Sequence, residues 1–132
     1  MDDDLGSMSS WFVQSAIGLF PAVPGEQYFF IGSPIFPEIS ISLENGKTFS
    51  IIAENVSENN FYIQKVKLNG KPINKTWIAY ADIIRGGILE IDMDSIPNKI
   101  WGEDMKLAPP SLSRYNIPQN NTAYGSSCDQ KK

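Results

Sequence analysis

The sequence predicts an α+β fold built mostly of antiparallel strands: an N-terminal buried helix, then a β-meander or half-sandwich, then an irregular tail. Three observations predict it. Apolar residues recur at helical spacing between positions 8 and 20. After Pro21 the apolar period changes to two. Two Asn-Gly pairs, at 45–46 and 69–70, separate alternating runs, and Asn-Gly is the strongest short-range hairpin signal because both residues tolerate positive φ.

The helix comes first. Met8, Trp11, Phe12, Ala16 and Leu19 mark one apolar face, and Val13, Ile17 and Phe20 add a second. Only Ser9, Ser10, Gln14 and Ser15 relieve it. A helix apolar on two sides is normally covered on both. Gly18 lies close to the expected end and Pro21 stops the helix. Asp2, Asp3 and Asp4 precede its first turn, where the helix dipole and free backbone N–H groups favour negative charge. Capping accounts for one of these acids and does not need three.

Pro21 to Gly25 is a turn-rich break. Tyr28-Phe29-Phe30-Ile31 then reads as a short buried strand, interrupted by Gly32-Ser33-Pro34. Ile39 to Leu43 alternates strictly, meets Asn45-Gly46, and returns as Thr48 to Ile52. Phe61 to Leu68 alternates again and meets Asn69-Gly70, with Thr76-Trp77-Ile78 as its expected short partner. Ala81 to Ile84 is one helical turn closed by Gly86-Gly87, and Ile88 to Met93 is the last strand. This makes an antiparallel meander of roughly five to seven strands. After about Trp101, Pro109, Pro110 and Pro118 and accumulating Asn, Ser and Gln predict an extended, partly ordered tail.

Composition excludes several function classes. At 132 residues and 42% apolar the chain fits one ordinary domain. A net charge of −4 argues against a nucleic-acid partner, which needs a basic face, and gives no support for anionic membrane binding. No apolar run approaches the ~20 residues of a membrane span, and the N-terminus lacks the basic region of a signal peptide. Without histidine, a histidine base, a Ser-His-Asp triad and a histidine-ligated zinc are excluded within this chain. The single cysteine, Cys128, has no internal disulfide partner and reads as an incidental thiol.

The candidate chemistry is therefore carboxylate chemistry. Asp2 and Asp4 flank Asp3 and in a tight turn would share one side, where mutual repulsion raises one pKa and suits a general base. Paired carboxylates also suit sugar hydrolysis. On chemistry alone, a solvated acidic terminus or helix cap explains the triplet as well. The triplet lacks the alternating ligands and glycine of an EF-hand loop, and no metal ligand is assigned in this chain. Trp77, Tyr80 and Trp101 are candidates for a sugar-stacking platform, although strand aromatics usually belong to the core. Sequons stand at Asn55-Val56-Ser57, Asn74-Lys75-Thr76 and Asn120-Asn121-Thr122, and matter only in a eukaryotic secretory setting.

Read together, these residues resemble the C-terminal part of glycoside hydrolase family 92, the bacterial α-mannosidases. That family carries a segment like Gly-(Asn/Asp)-(Glu/Asp)-Asp-x-Gly-(Gln/Glu)-Met-Ser-Ala-Trp-(Tyr/Phe)-Val, and residues 2–13 stand in its place. Further matches follow in order: Gly18-Leu19-Phe20-Pro21, Ile31 to Phe36, Asn45 to Phe49, Tyr62-Ile63-Gln64, Leu68 to Lys71, Gly86-Gly87 and Pro97 to Gly102. The departures are Met1 for the leading glycine, Ser7 for a longer amide or acid, and Ser10 for a small apolar residue.

The resemblance implies a calcium-dependent, inverting exo-α-mannosidase acting on mannose-containing glycans. Asp4 would match its general base and Asp2 the carboxylate that assists in holding the water. Residues 1–21 would close an (α/α)6 barrel that carries the active site, 22–102 would form the C-terminal β region, and 103–132 a polar tail. The general acid, a glutamate, and most calcium and sugar contacts would lie upstream, in a missing N-terminal part of the same enzyme. The chain would then be a fragment, inactive alone and prone to self-association through its uncovered helix. Export to the periplasm, cell surface or medium of a bacterium is also implied. The competing expectation is a self-standing β-module that binds carbohydrate or protein without catalysis.

Overall fold

A computed structural model describes residues 4–21, 23 and 25–110, Asp4 by its backbone alone. The chain runs α1 (Ser7–Ile17), β1 (Leu19–Phe20), β2 (Tyr28–Ile31), β3 (Glu38–Ser42), β4 (Thr48–Glu54), β5 (Tyr62–Leu68), β6 (Lys71–Ile73), β7 (Trp77–Ala79), α2 (Tyr80–Ile84) and β8 (Gly87–Asp94). The α+β class, mostly antiparallel with the helix first, is as the sequence predicts. The topology differs from a meander.

Two sheets share one core. The smaller has the order β1-β2-β7, and the larger β3-β4-β8-β5-β6. Leu19, Ile31 and Ile78 of the first sheet pack with Phe49, Ile51, Ala53, Val66, Leu89, Ile91 and Met93 of the second. The period of two appears directly in β4 and β8, where Phe49, Ile51 and Ala53 alternate inward, as do Leu89, Ile91 and Met93. On the opposite face Lys67 pairs with Glu90 in register, and Lys65 Nζ lies 3.1 Å from Asp92 Oδ2.

Three sequence expectations need correction. Trp77–Ala79 does not pair behind Asn69-Gly70: Lys71–Ile73 does, in register Leu68 with Lys71, while Trp77–Ala79 pairs with Tyr28–Ile31 in the other sheet. β8 lies beside β4 in parallel, with Ile51 opposite Leu89 and Ala53 opposite Ile91. Local alternation specifies which face of a strand is buried, and says nothing of a neighbour about forty residues away. The helix ends at Ile17 rather than near residue 20, because Gly18 takes a left-handed φ of 77° and its N–H closes on the Gln14 and Ser15 carbonyls. Leu19-Phe20 then leaves as strand β1.

The two Asn-Gly turns prove to be of different kinds. Asn69 and Gly70 both have positive φ, 52° and 75°, the two-residue type I′ geometry. At the other turn only Gly46 does, at 77°. Gly46 N–H donates to Leu43 O and Leu43 N–H to Lys47 O, so Glu44-Asn45-Gly46 is a three-residue loop. Asn45 Oδ1 accepts the Lys47 N–H at 3.0 Å and its Nδ2 donates to Ile84 O at 2.7 Å.

The segment after Trp101 keeps contact with the fold as far as Pro110. Met105–Leu107 forms a 3-10 turn, Asp104 Oδ1 accepts the Lys106 N–H, Trp77 Nε1 donates to Leu107 O at 2.9 Å, and Tyr28 Oη to Pro110 O at 3.2 Å. Residues 111–132, with Cys128 and the Asn120 sequon, lie outside the described residues.

Candidate active site

The acidic segment enters α1 through a sharp turn. Asp2 and Asp3 lie outside the described residues, and the Asp4 backbone opens a 3-10 turn that runs to Gly6. Leu5 sits at φ 53°, ψ 33°, and Gly6 at φ 80°, ψ 13°, both left-handed. Glycine adopts this freely, whereas leucine pays about 1–2 kcal/mol. A Cβ on Gly6 would meet nothing within 4 Å, so backbone conformation alone calls for glycine there. Gly6 is also the N-cap residue of α1, with no side-chain cap, and no acid stands in the first helical turn. The acids are thus upstream of the capping position. Backbone strain of this kind concentrates at functional sites.

The helix behind this turn is buried only toward its far end. Every residue from Leu5 to Val13 is exposed, Trp11 at 53% and Phe12 at 59%, and Ala16 is the buried residue of α1. The expected two-sided burial is therefore corrected: the apolar side chains of Trp11, Phe12 and Val13 stay exposed. The attachment is made by Ile35 N–H donating to Ala16 O at 3.0 Å and Gly32 N–H to Gly18 O at 2.8 Å. Ile35 and Phe36, exposed next to this junction, extend the apolar surface. Large exposed apolar side chains gathered on one region favour association. The isolated chain should accordingly associate and bind apolar dyes, and changing both Trp11 and Phe12 to Gln should abolish this in sedimentation velocity. A monodisperse parent chain that binds no dye would contradict the expectation.

The short motifs scattered along the sequence meet in pairs. Gly18-Leu19-Phe20 runs against Phe30-Ile31-Gly32, and Pro34 packs so close to Gly18 that a Cβ there would lie 2.8 Å from Pro34 Cγ. Asn69 Oδ1 accepts the Ile88 N–H at 2.8 Å, against Gly87, where a Cβ would overlap the Asn69 amide. Lys47-Thr48 abuts Gly86. Gln64 occupies an irregularity of β5, between Ile63 and Lys65, and its carbonyl accepts Asn98 Nδ2 at 2.7 Å while its Nε2 donates to Ile96 O at 2.7 Å. These motifs are joints of the scaffold. Sequence reading grouped them by order, and the physical reason for each lies in a partner distant along the chain.

The aromatic candidates each have surroundings of their own. Tyr28 meets the Trp77 ring edge-on at 5.8 Å, Lys75 Nζ lies 4.2 Å from its centroid, and Trp101 Nε1 donates to Ile73 O while its ring packs on the core. Tyr80 stays half exposed. Both tryptophans have hydrogen-bond and packing partners within the fold. Among the described residues no group of three or more acidic, histidine or cysteine side chains converges as a metal site, and no helix is long and apolar enough to cross a membrane.

The geometry thus presents an acidic segment, a strained turn, a helix with uncovered faces, and a β scaffold. Residues 2–95 match the family described as glycosyl hydrolase family 92 catalytic domain. An uncharacterized secreted glycosidase of the fungus Arthroderma benhamiae is 37% identical over 114 residues, covering 84% of this chain and 14% of that protein. A family 92 inverting mannosidase of Bacteroides thetaiotaomicron superimposes with a TM-score of 0.80 at 35% identity, over 84% of this chain and 15% of that one. A family 92 α-mannosidase of the same species, solved with mannoimidazole, gives 0.79 at 34% identity, over 83% and 14%. The chain therefore spans about one-seventh of the length of these relatives.

Proposed function

The chain belongs to glycosyl hydrolase family 92, and from that premise we propose that it forms the general-base side of an inverting exo-α-mannosidase acting on mannose-containing glycans. The observation that carries this reading is the place of Asp4, immediately before the Leu5-Gly6 turn and inside the matched stretch. In this mechanism the Asp4 carboxylate takes a proton from water as its oxygen attacks the anomeric carbon. The bond from that carbon to the leaving oxygen breaks, and a general acid across the sugar protonates the leaving oxygen. Asp2 helps hold the water. Inversion needs the two carboxyl groups roughly 6.5–9.5 Å apart, with sugar and water between. The acid comes from a part of the larger enzyme that this chain does not contain, so the chain alone does not hydrolyse mannosides.

The same larger enzyme covers α1. Its two apolar faces suit a helix near the end of a helical barrel, with residues 1–21 completing that barrel and the β region from residue 22 bracing it. Calcium is expected of the family, and the ion takes roughly six to eight oxygen ligands. Among the described residues no group of three or more carboxylates converges to supply them. Export follows the secreted relative.

A chimaera tests the reading. Residues 2–110 replace the corresponding segment of the Bacteroides inverting mannosidase, and hydrolysis of an α-mannoside is followed by proton NMR. The chimaera should release β-mannose first, and the isolated chain should release none. Turnover by the isolated chain, or α-mannose as the first product, would sink the proposal.

A further inference from the structure

Of the three Asn-x-Ser/Thr triplets, hydrolysis uses none, and the two within the described residues differ in kind. Asn55 follows β4 in the left-handed region at φ 62°, and its Nδ2 donates to Asp92 Oδ1 at 3.2 Å. Its carbonyl accepts Asn60 Nδ2 at 2.9 Å. Asn55 is thus tied into its turn. Asn74 stands in the link between β6 and β7, where the chain crosses from one sheet to the other. Its side chain is exposed and its amide has no hydrogen-bond partner among the described residues.

The backbone on either side of Asn74 is fixed. The carbonyl of Ile73 accepts Trp101 Nε1 at 3.0 Å, and that of Thr76 accepts the Ile31 N–H at 2.9 Å. Thr76 Cγ2 packs on Gly102. Asn74 also borders an open cleft with Lys65, Asn98, Trp101 and Asp104, so a group on its amide meets solvent and a polar wall rather than the core. The triplet is complete, with Lys75 rather than proline in the middle and Thr76 at the third position. The relative from Arthroderma benhamiae supplies the setting, since it is a secreted protein of a eukaryote.

We propose that Asn74 is an N-glycan acceptor when the chain passes through a eukaryotic secretory pathway. The donor is an oligosaccharide carried on a lipid pyrophosphate. Asn74 Nδ2 attacks the first sugar's anomeric carbon and a nitrogen–carbon bond forms. The carbon–oxygen bond to pyrophosphate breaks, the lipid pyrophosphate leaves with the electron pair, and the amide proton passes to a base of the transferase. One N–H remains on the amide. Nothing is oxidised or reduced.

The test is secretion of the 132-residue chain from yeast behind a cleavable leader, with peptide mass mapping before and after peptide-N-glycosidase. Glycan mass should appear on the Asn74 peptide, and the glycosidase should remove it and leave aspartate. Asn74→Gln should lose that mass entirely, Asn55→Gln should keep it, and Thr76→Ser should keep it in part. Chain retained in the cell is mapped in the same way, and glycan on the Asn74 peptide counts equally there. An unmodified Asn74 in both fractions, or glycan on that peptide surviving Asn74→Gln, would overturn the assignment. Neither outcome bears on the hydrolytic reading.

Discussion

In the chimaeric mannosidase, Asp4→Asn should lower kcat by about 10²–10⁴-fold, the span that a positioned general base contributes. KM should change little, because the amide keeps the size of the carboxylate and loses only its ability to take a proton. The fold should be untouched: the turn that carries residue 4 is set by the left-handed backbone of Leu5 and Gly6. Steady-state kinetics on an α-mannoside, with circular dichroism melts of both proteins, separates the two effects. Activity within threefold of the parent would remove Asp4 from the base role. Asp2→Asn should cost less, since a residue that holds the water does not itself accept the proton.

The second large effect concerns Gly18→Ala, which should destabilise the isolated chain by about 2–5 kcal/mol. Two terms contribute. A left-handed non-glycine residue costs about 1–2 kcal/mol, and φ here is 77°. The new Cβ would also lie 2.8 Å from Pro34 Cγ and 3.0 Å from Gly32 O, and overpacking of that kind costs about 1–3 kcal/mol. Gly6→Ala is the control: φ is 80°, but no atom lies within 4 Å of the added carbon. It should show the backbone term alone, about 1–2 kcal/mol. Urea midpoints at constant slope provide the comparison. Equal losses at the two sites would mean that Pro34 yields and that the joint between helix and sheet is soft.

The contrast between these glycines shows what was legible in the sequence. Gly18 near a helix end and Gly6 before its start are both readable from pattern. That Pro34 presses on one and nothing on the other depends on contacts sixteen residues apart. Most strands were legible for the same local reason. Phe49, Ile51, Leu89 and Ile91 alternate because each strand has one buried face, and both Asn-Gly turns lie where alternation breaks. The parallel register of Ile51 with Leu89 and the passage of Trp77 into the other sheet left no local trace. The candidate base was legible only through resemblance. Three acids ahead of a helix are ordinary, and no propensity announces the left-handed Leu5 that follows them.

The strand order carries a consequence for the timing of assembly. β8 is the middle strand of the larger sheet, flanked by β4 and β5, yet it is the last of the eight to be synthesised. Until residue 94 has emerged, β3-β4 and β5-β6 are two separate hairpins with unpaired edges, and isolated hairpins are at best marginally stable in water. A nascent chain halted before Gly87 should therefore be protease-sensitive throughout its β region, and the sheet should form in one late step once Leu89, Ile91 and Met93 arrive. Such closure by distant partners is slow and exposes edges while it waits. Synthesis rate and chaperone access while residues 87–94 emerge, more than any single contact, should then govern how much of this region reaches its folded state.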